Sequence, residues 1–240
     1  MSPVKQPSSF NALVNLRDVG GLPVRGGGTT RSGVLYRGDA PYSDDVAPAG
    51  VSVWPPAAVI DLRSDAELAK VGVEWPEGTT FHHHPIHAAA VPDNLKAQGD
   101  LRDLYEFILA AVPRRVAAVV DIVGDSSLEG PTFIHCAAGK DRTGVVTASL
   151  LLAAGVEPEA VIADYVATAE NMQALQDRWV HKRGGRAHTV RAEWLLAPEK
   201  AITEVVEVLD GGADGAAGWL LEHGADEGRL AVWQKRVVQS

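Results

Sequence analysis

Apolar residues in the first third of the chain come in short runs cut by glycine and proline, a spacing of strands and turns rather than helices. "NLRDVGGLPV" (15–24) carries strand-forming residues into a Gly-Gly turn, and "RSGVLYRGDA" (31–40) predicts a second short strand between Gly33 and Gly38. In "PPAAVIDLRSDAEL" (55–68), Val59, Ile60 and Leu62 form a compact strand after two prolines. Ser64 followed by Glu67 has the spacing of a capping box that opens a short helix. "TTFHHHPIH" (79–87) is a β-branched and aromatic run that stops at Pro85.

The period then lengthens. From Gly99 to Gly124, Leu101, Leu104, Tyr105, Ile108 and Leu109 recur at helical spacing, followed by Val116, Val119, Val120 and Val123. Pro113 breaks this stretch in two, because a helix-interior proline loses a hydrogen bond and clashes with the preceding turn. A strand, "TFIHC", precedes "RTGVVTASLLLAAG" (142–155), which is apolar on nearly every side and predicts a buried helix. "EAVIADYVATAENM" (159–172) reads as one further helix. The rest is helical in pattern, with breaks at Gly184-Gly185, Gly211-Gly212 and Gly224. Strands alternating with helices, then a helical tail, predict an α/β layer fold. A single domain over 1–240 is expected, with a lid insertion at 170–195 and C-terminal helices at 197–240.

A net charge of −9 argues against nucleic acid and anionic membrane surfaces as partners, so an anionic substrate needs a local positive site. No apolar run reaches the length of a membrane span, and "MSPVKQPSSF" lacks the apolar core of a secretory signal. The one cysteine fits a reducing compartment. A cytoplasmic location is therefore the expectation, with export by a route needing no cleaved signal left open.

That cysteine, Cys136, stands in "HCAAGKDRTG" between the predicted strand and the buried helix. A strand-to-helix turn of this kind aims successive backbone N–H groups, here from Ala137, Ala138, Gly139 and Lys140, into a concavity, and the helix dipole adds positive potential. Gly139 permits close approach of the backbone, and Arg142 offers a planar fork for two phosphate oxygens. Helix N-termini and neighbouring cations favour the thiolate, the nucleophilic form of cysteine. Thr143 is placed to donate a hydroxyl hydrogen bond to the sulfur and help it leave. A thiolate beneath a phosphoryl cradle is an arrangement for in-line attack on phosphorus.

"HCAAGKDRTG" resembles the signature loop of the cysteine-dependent protein-tyrosine phosphatase superfamily. "NLRDVGG", "GVLYRGD", "VIDLRSDAEL" and the late "GWLLEHGADEGRLAVWQKRVV" are similar to segments of its atypical bacterial branch, so the resemblance covers most of the chain. It is weakest over 86–125 and 170–195. The resemblance implies a central, mostly parallel sheet flanked by helices, no metal and no cofactor. It implies phosphotyrosine hydrolysis, with phosphoserine, phosphothreonine and phosphoinositides as further substrate classes reported for that branch. By position, the nucleophile falls on Cys136, the phosphate clamp on Arg142 and the leaving-group hydroxyl on Thr143.

The general acid is open between two residues. Conventional members use an aspartate on a separate loop, for which Asp93 in "AVPDN" is the candidate; the atypical branch carries one inside the signature loop, here Asp141. Asp141 is favoured over Asp93. Lys140 is either a solvated loop residue or a contact for additional ring phosphates. "HKRGGRAH" (181–188) is either a solvated charge run or a lid presenting Lys182, Arg183 and Arg186 to an anionic substrate. His135 is expected to hydrogen-bond the loop backbone. Arg17, Asp18, Arg37, Asp61 and Arg63 are expected as buried ion pairs forming the floor, with Asp61 touching the loop. Trp219 and Trp233 are expected in the core. His82, His83, His84 and His87 alternate faces on a strand, with no carboxylate or cysteine at ligand spacing, so metal binding is not expected.

Other classes fit less well. A nucleotide-binding loop needs Gly-x4-Gly-Lys-Ser/Thr, but Ile134 occupies the first glycine position and Asp141 the hydroxyl position. Thiol-redox enzymes need a resolving cysteine, and sulfurtransferase chemistry does not call for Arg142 followed by Thr143. The remaining alternative is a non-catalytic phosphate-binding module on the same fold.

Overall fold

A computed structural model describes residues 10–86, 100–185 and 195–239. Its centre is a five-stranded sheet in the order β1-β3-β6-β4-β5. The strands are β1 (Arg17–Asp18), β3 (Leu35–Gly38), β4 (Ala58–Asp61), β5 (Thr80–His83) and β6 (Thr132–His135). β1 runs antiparallel to β3 and every other neighbouring pair is parallel. A two-stranded ladder joins β2 (Thr29–Thr30) to β7 (Val238–Gln239), tying the end of the described chain back to its beginning.

Register assigns the two faces of the sheet. Tyr36, Phe133 and Val59 are aligned across three strands, and on their face Trp54, Trp75, Leu13, Leu16 and Val51 close the sheet. One position further along, Ile134 pairs with Ile60 and with Arg37, on the face where the helices pack. The period-two alternation of a strand therefore decides which residues meet helices and which meet the aromatic cover.

The helices follow the predicted punctuation closely. α1 (Asp65–Leu68) opens with the Ser64–Glu67 capping box. α2 (Leu101–Ala111) stops before Pro113, which takes the first position of α3 (Pro113–Ala117), and α4 (Val119–Val123) follows. α5 (Asp141–Ala153) is buried from Thr143 to its end, enclosed by α2, α6, α8 and α9. α6 is Pro158–Val166, α7 Thr168–Lys182, α8 Glu199–Asp210, α9 Gly215–Glu222 and α10 Glu227–Val237. Trp233 is fully buried and donates its indole N–H to the Leu150 carbonyl at 2.9 Å, while Trp219 is partly buried against the core.

One helix expected over 159–172 is two. At the junction Arg17 Nη2 donates to the Asp164 carbonyl at 2.6 Å and to Thr168 Oγ1 at 3.2 Å. A straight helix reserves that carbonyl for the amide of residue 168, so a tertiary arginine inserts into the ladder where the chain turns. The mostly parallel sheet with flanking helices and a helical C-terminal region agrees with the expected fold class. Among the described residues no helix is long and apolar enough to cross a membrane.

Candidate active site

Cys136 follows the last residue of β6 and is 2% exposed. Residues 137–140 form a bend that delivers the chain into α5 at Asp141. Among the described residues, no acceptor is hydrogen-bonded to the amides of Ala137 through Arg142, so these N–H groups are available to a ligand. Gly139 has φ +68°, and a Cβ there would lie 2.2 Å from the carbonyl carbon and oxygen of Gly38. Both the dihedral and the contact with β3 require glycine.

The loop is held from behind by its carbonyls. Asn15 Nδ2 donates to Ala138 O at 2.8 Å, and Arg37 Nη2 donates to Gly139 O at 2.9 Å. Because each peptide is trans, holding these two carbonyls turns the amides of Gly139 and Lys140 the opposite way. Asn15 is itself fixed by Asp39, which accepts from the Asn15 and Val14 amides and pairs with the buried Arg178 on α7. Arg178 also bonds Asp45. Asp164 on α6 receives both Arg17 (2.7 Å) and Arg37 (2.5 Å).

Arg142 lies at the rim with 16% of its side chain exposed. Its Nη1 donates to Glu67 Oε2 at 2.7 Å and its Nη2 to Glu67 Oε1 at 2.8 Å; Nη1 also reaches Leu62 O at 3.5 Å. This end-on pairing leaves the other fork of the guanidinium, Nε–H with the second Nη2–H, unspent by these bonds. Burial works against charge on both partners, yet the pair prevails. Glu67 is held down to about 2 by Arg142 together with the Ser64 amide and hydroxyl, and Arg142 is raised above its ordinary value by Glu67 and by the nearby Cys136.

Asp141 and Lys140 are neighbours in space as well as sequence. Lys140 is 1% exposed and its Nζ donates to Asp141 Oδ1 at 2.5 Å. The same oxygen accepts from the Tyr105 hydroxyl at 2.7 Å, and Tyr105 meets Tyr165 through their hydroxyls at 2.5 Å. Burial, and then the charge of Asp141, raise both phenols above the ordinary tyrosine range.

The loop thus brings together Cys136, Ala137, Ala138, Gly139, Lys140, Asp141 and Arg142. Two expectations, for Thr143 and Asp18, need correction. Thr143 Oγ1 is buried without a hydrogen-bond partner, so its bond to the sulfur is not made here; the hydroxyl lies in the first turn of α5, among packed side chains. Asp61 meets the signature at its first residue, His135, as expected. It binds Arg63 through both oxygens and faces His135 Nε2 at 3.9 Å, because its place in register is beside His135. Among the described residues Asp18 forms no ion pair but caps a turn, accepting from the Gly20 amide at 2.9 Å and the Gly33 amide at 2.7 Å.

His135 sits with Nδ1 3.3 Å from the Cys136 carbonyl, and burial pushes its imidazole down to about 4, so it is neutral at pH 7 and braces the backbone. His83 and His84 spend their Nε2 atoms on the Arg63 and Arg115 carbonyls. Lys182 is engaged with Asp44 and Asp45. Asp93, His87 and Arg186 lie outside the described residues.

Sequence reasoning read Glu67 only as a capping residue and Tyr105 only as part of an apolar helix face. Asn15, Asp39, Tyr165, Asp164 and Arg178 were not singled out. The acid after "VIDLRS" carried a signal, since a glutamate one turn into a helix that follows a loop-adjacent strand can face both its cap and the site. The others are marked only by long-range contacts.

The sequence profile described as "Tyrosine phosphatase family" matches residues 8–239. A putative tyrosine-protein phosphatase of Cupriavidus necator is 30% identical over an alignment of 220 positions that covers 81% of this chain and 78% of that protein. The triple specificity protein phosphatase PtpB of Mycobacterium tuberculosis is 32% identical over an alignment of 250 positions, covering 82% of this chain and 89% of the relative. Among solved structures, TpbA of P. aeruginosa is 20% identical, with a TM-score of 0.36 over 68% of this chain and 83% of its own. Because the profile runs from ahead of β1 through β7, and the two relatives match over most of their length, the chain belongs to the tyrosine phosphatase family and is an enzyme of that kind.

Proposed function

We propose that the chain hydrolyses phosphomonoesters through a phosphocysteine intermediate, with phosphotyrosine as the leading substrate class. The observation that carries this reading is the Cys136 loop, in which, among the described residues, the amides of Ala137 through Arg142 and one fork of Arg142 have no partner beside a single thiol. Cys136 thiolate attacks phosphorus, forming the S–P bond as the P–O bond to the leaving group breaks. The amides of Ala137 through Arg142 and the Nε–Nη2 fork of Arg142 take the charge on the equatorial oxygens. Asp141 gives its proton to the leaving oxygen. In the second step Asp141 accepts a proton from water, water attacks phosphorus, the S–P bond breaks and the thiolate returns.

Asp141 is assigned the acid because it stands in the nucleophile loop with 22% of its side chain open to a leaving group. Lys140 is spent on Asp141 in this arrangement, so a contact with a further substrate phosphate requires it to leave that partner. Phosphoserine, phosphothreonine and phosphoinositides, which the sequence resemblance implies, are proposed as secondary classes, and the relative PtpB is named for triple specificity.

Turnover of p-nitrophenyl phosphate in excess chelator tests the mechanism. Activity is expected to persist, to vanish in Cys136→Ser, and to leave a trappable phosphocysteine on rapid acid quench. Binding of phosphate without turnover in the unmodified protein would sink the proposal. Asp141→Asn and Asp93→Asn, compared on phenyl phosphate, separate the two acids. A loss of about 10²-fold or more is expected for Asp141→Asn and little change for Asp93→Asn.

A further inference from the structure

Tyr105 and Tyr165 come from α2 and α6, each about 1% exposed, and meet at the side chain of Asp141. We propose that Tyr105, backed by Tyr165, is the positioning residue of the proton donor: it fixes Asp141 so that its transferable proton sits on Oδ2, facing the open side of the loop. This deepens the phosphatase mechanism and rests on the assignment of Asp141 as the acid.

The donor count decides it. Each phenol has one proton. Tyr105 donates its own to Asp141 Oδ1 at 2.7 Å, so the 2.5 Å contact between the two phenols is filled by the Tyr165 proton. The chain therefore runs Tyr165 to Tyr105 to Asp141. Lys140 Nζ donates to the same Oδ1. With two donors already aimed at Oδ1, a proton placed there would meet both head-on, and Oδ2 is the oxygen left to carry it. Lys140 and Arg142 flank Asp141 from the loop and α5, Tyr105 faces it from α2, and Tyr165 stands behind from α6.

The packing around the pair is specific to this arrangement. A Cβ on Gly144 would lie 2.9 Å from Tyr165 Cδ2 and 3.1 Å from Cε2, so the missing side chain in the first turn of α5 makes the space for the ring. The rings of Tyr105 and Tyr165 meet edge to face at 6.1 Å, which sets their hydroxyls towards one another. Two buried phenols are costly unless satisfied, and here Tyr165 is satisfied by the Tyr105 hydroxyl and Tyr105 by Asp141.

Leaving-group dependence provides the test, because a misaimed acid matters only when the leaving oxygen needs its proton. Purified Tyr105→Phe, Tyr165→Phe, Asp141→Asn and the double variant Tyr105→Phe/Asp141→Asn are compared on phenyl phosphate and 2,4-dinitrophenyl phosphate. Tyr105→Phe should lower kcat/KM on phenyl phosphate about tenfold and on the dinitrophenyl ester by no more than about twofold, a fraction of the general-acid effect. Tyr165→Phe, which keeps the bond to Asp141, should show the same selectivity at about threefold. The double variant should be no slower than Asp141→Asn alone, since Tyr105 acts through that carboxyl. Equal losses on both esters, no loss, or additivity in the double variant would overturn the role of Tyr105 while leaving the acid assignment standing. A flat leaving-group dependence in Asp141→Asn itself would overturn that assignment and the inference with it. If Tyr105→Phe does not fold, Tyr165→Phe and its cycle with Asp141→Asn decide the question on the same readout.

Discussion

Replacing Glu67 with glutamine removes one charge from the site while keeping nearly the same shape, and its effect can be worked out from the contacts. The Glu67 carboxylate holds both Nη atoms of Arg142 at 2.7 and 2.8 Å, and its Oε2 also accepts from the Ser64 amide and hydroxyl, each at 2.9 Å. A glutamine retaining its carbonyl for Ser64 turns an NH2 towards Nη2, so one charge-assisted bond becomes a meeting of donors. The carboxyl titrates at about 2 against 4.5 ordinarily, a difference worth about 3 kcal/mol at 1.4 kcal/mol per unit. With 33% of the side chain open to water, and part of the effect due to Ser64, the share lost in Glu67→Gln comes to about 1–2 kcal/mol. That corresponds to a fall of roughly 2–8 °C in Tm for a chain of this size. Because the folded pKa is depressed, this contribution is fully present above pH 4.5 and disappears as pH falls towards 2, so the stability gap between the two proteins should close over that window. The catalytic effect should be larger. An unbraced Arg142 no longer presents its Nε–Nη2 fork to the phosphoryl oxygens, and kcat/KM on p-nitrophenyl phosphate is expected to fall about 10–100-fold. Steady-state kinetics, with inorganic phosphate as a competitive inhibitor, and thermal unfolding of the same preparations supply both numbers. If kcat/KM stays within about twofold while Tm drops, Glu67 serves α1 alone and the bracing argument is wrong.

Further outcomes follow from the same geometry. Gly139→Ala brings a Cβ to 2.2 Å from the Gly38 carbonyl at φ +68°, so turnover should drop by more than about 100-fold, at the level of a misplaced reacting group; an alanine variant with ordinary kinetics would contradict the close approach of loop and β3. Arg178→Met leaves Asp39 buried without its cation, with Asp45 keeping Lys182, and should cost about 3–5 kcal/mol in urea unfolding, and a loss below about 1 kcal/mol would refute the buried network. Burial holds His135 down to about 4, below 6.5, so its neutral form stabilises the fold above pH 6.5 and that contribution, at most about 3 kcal/mol, is lost as pH falls towards 4. His135→Gln should flatten the stability profile in that interval, and an unchanged slope would place the acid sensitivity elsewhere.

Local pattern carried much of this protein. The capping box at Ser64 and Glu67, the break before Pro113, the buried character of α5 and the strand ending at Cys136 all follow from residues a few positions apart, where propensity and periodicity act. The nucleophile loop was legible for the same reason, since its thiol, glycine and arginine are contiguous. What surrounds the loop was not. Glu67 is 75 residues from Arg142, Tyr105 is 36 from Asp141, and Asn15 is 123 from Ala138. Asp18 and Asp61 look alike at strand ends, yet one caps a turn and the other binds Arg63. The sequence by itself determined which short segments are strands or helices and that one loop can cradle an anion. Only the tertiary structure decided which carboxylate braces the arginine and which phenols aim the acid, because side chains so distant along the chain acquire partners only when sheet register and helix packing bring them together.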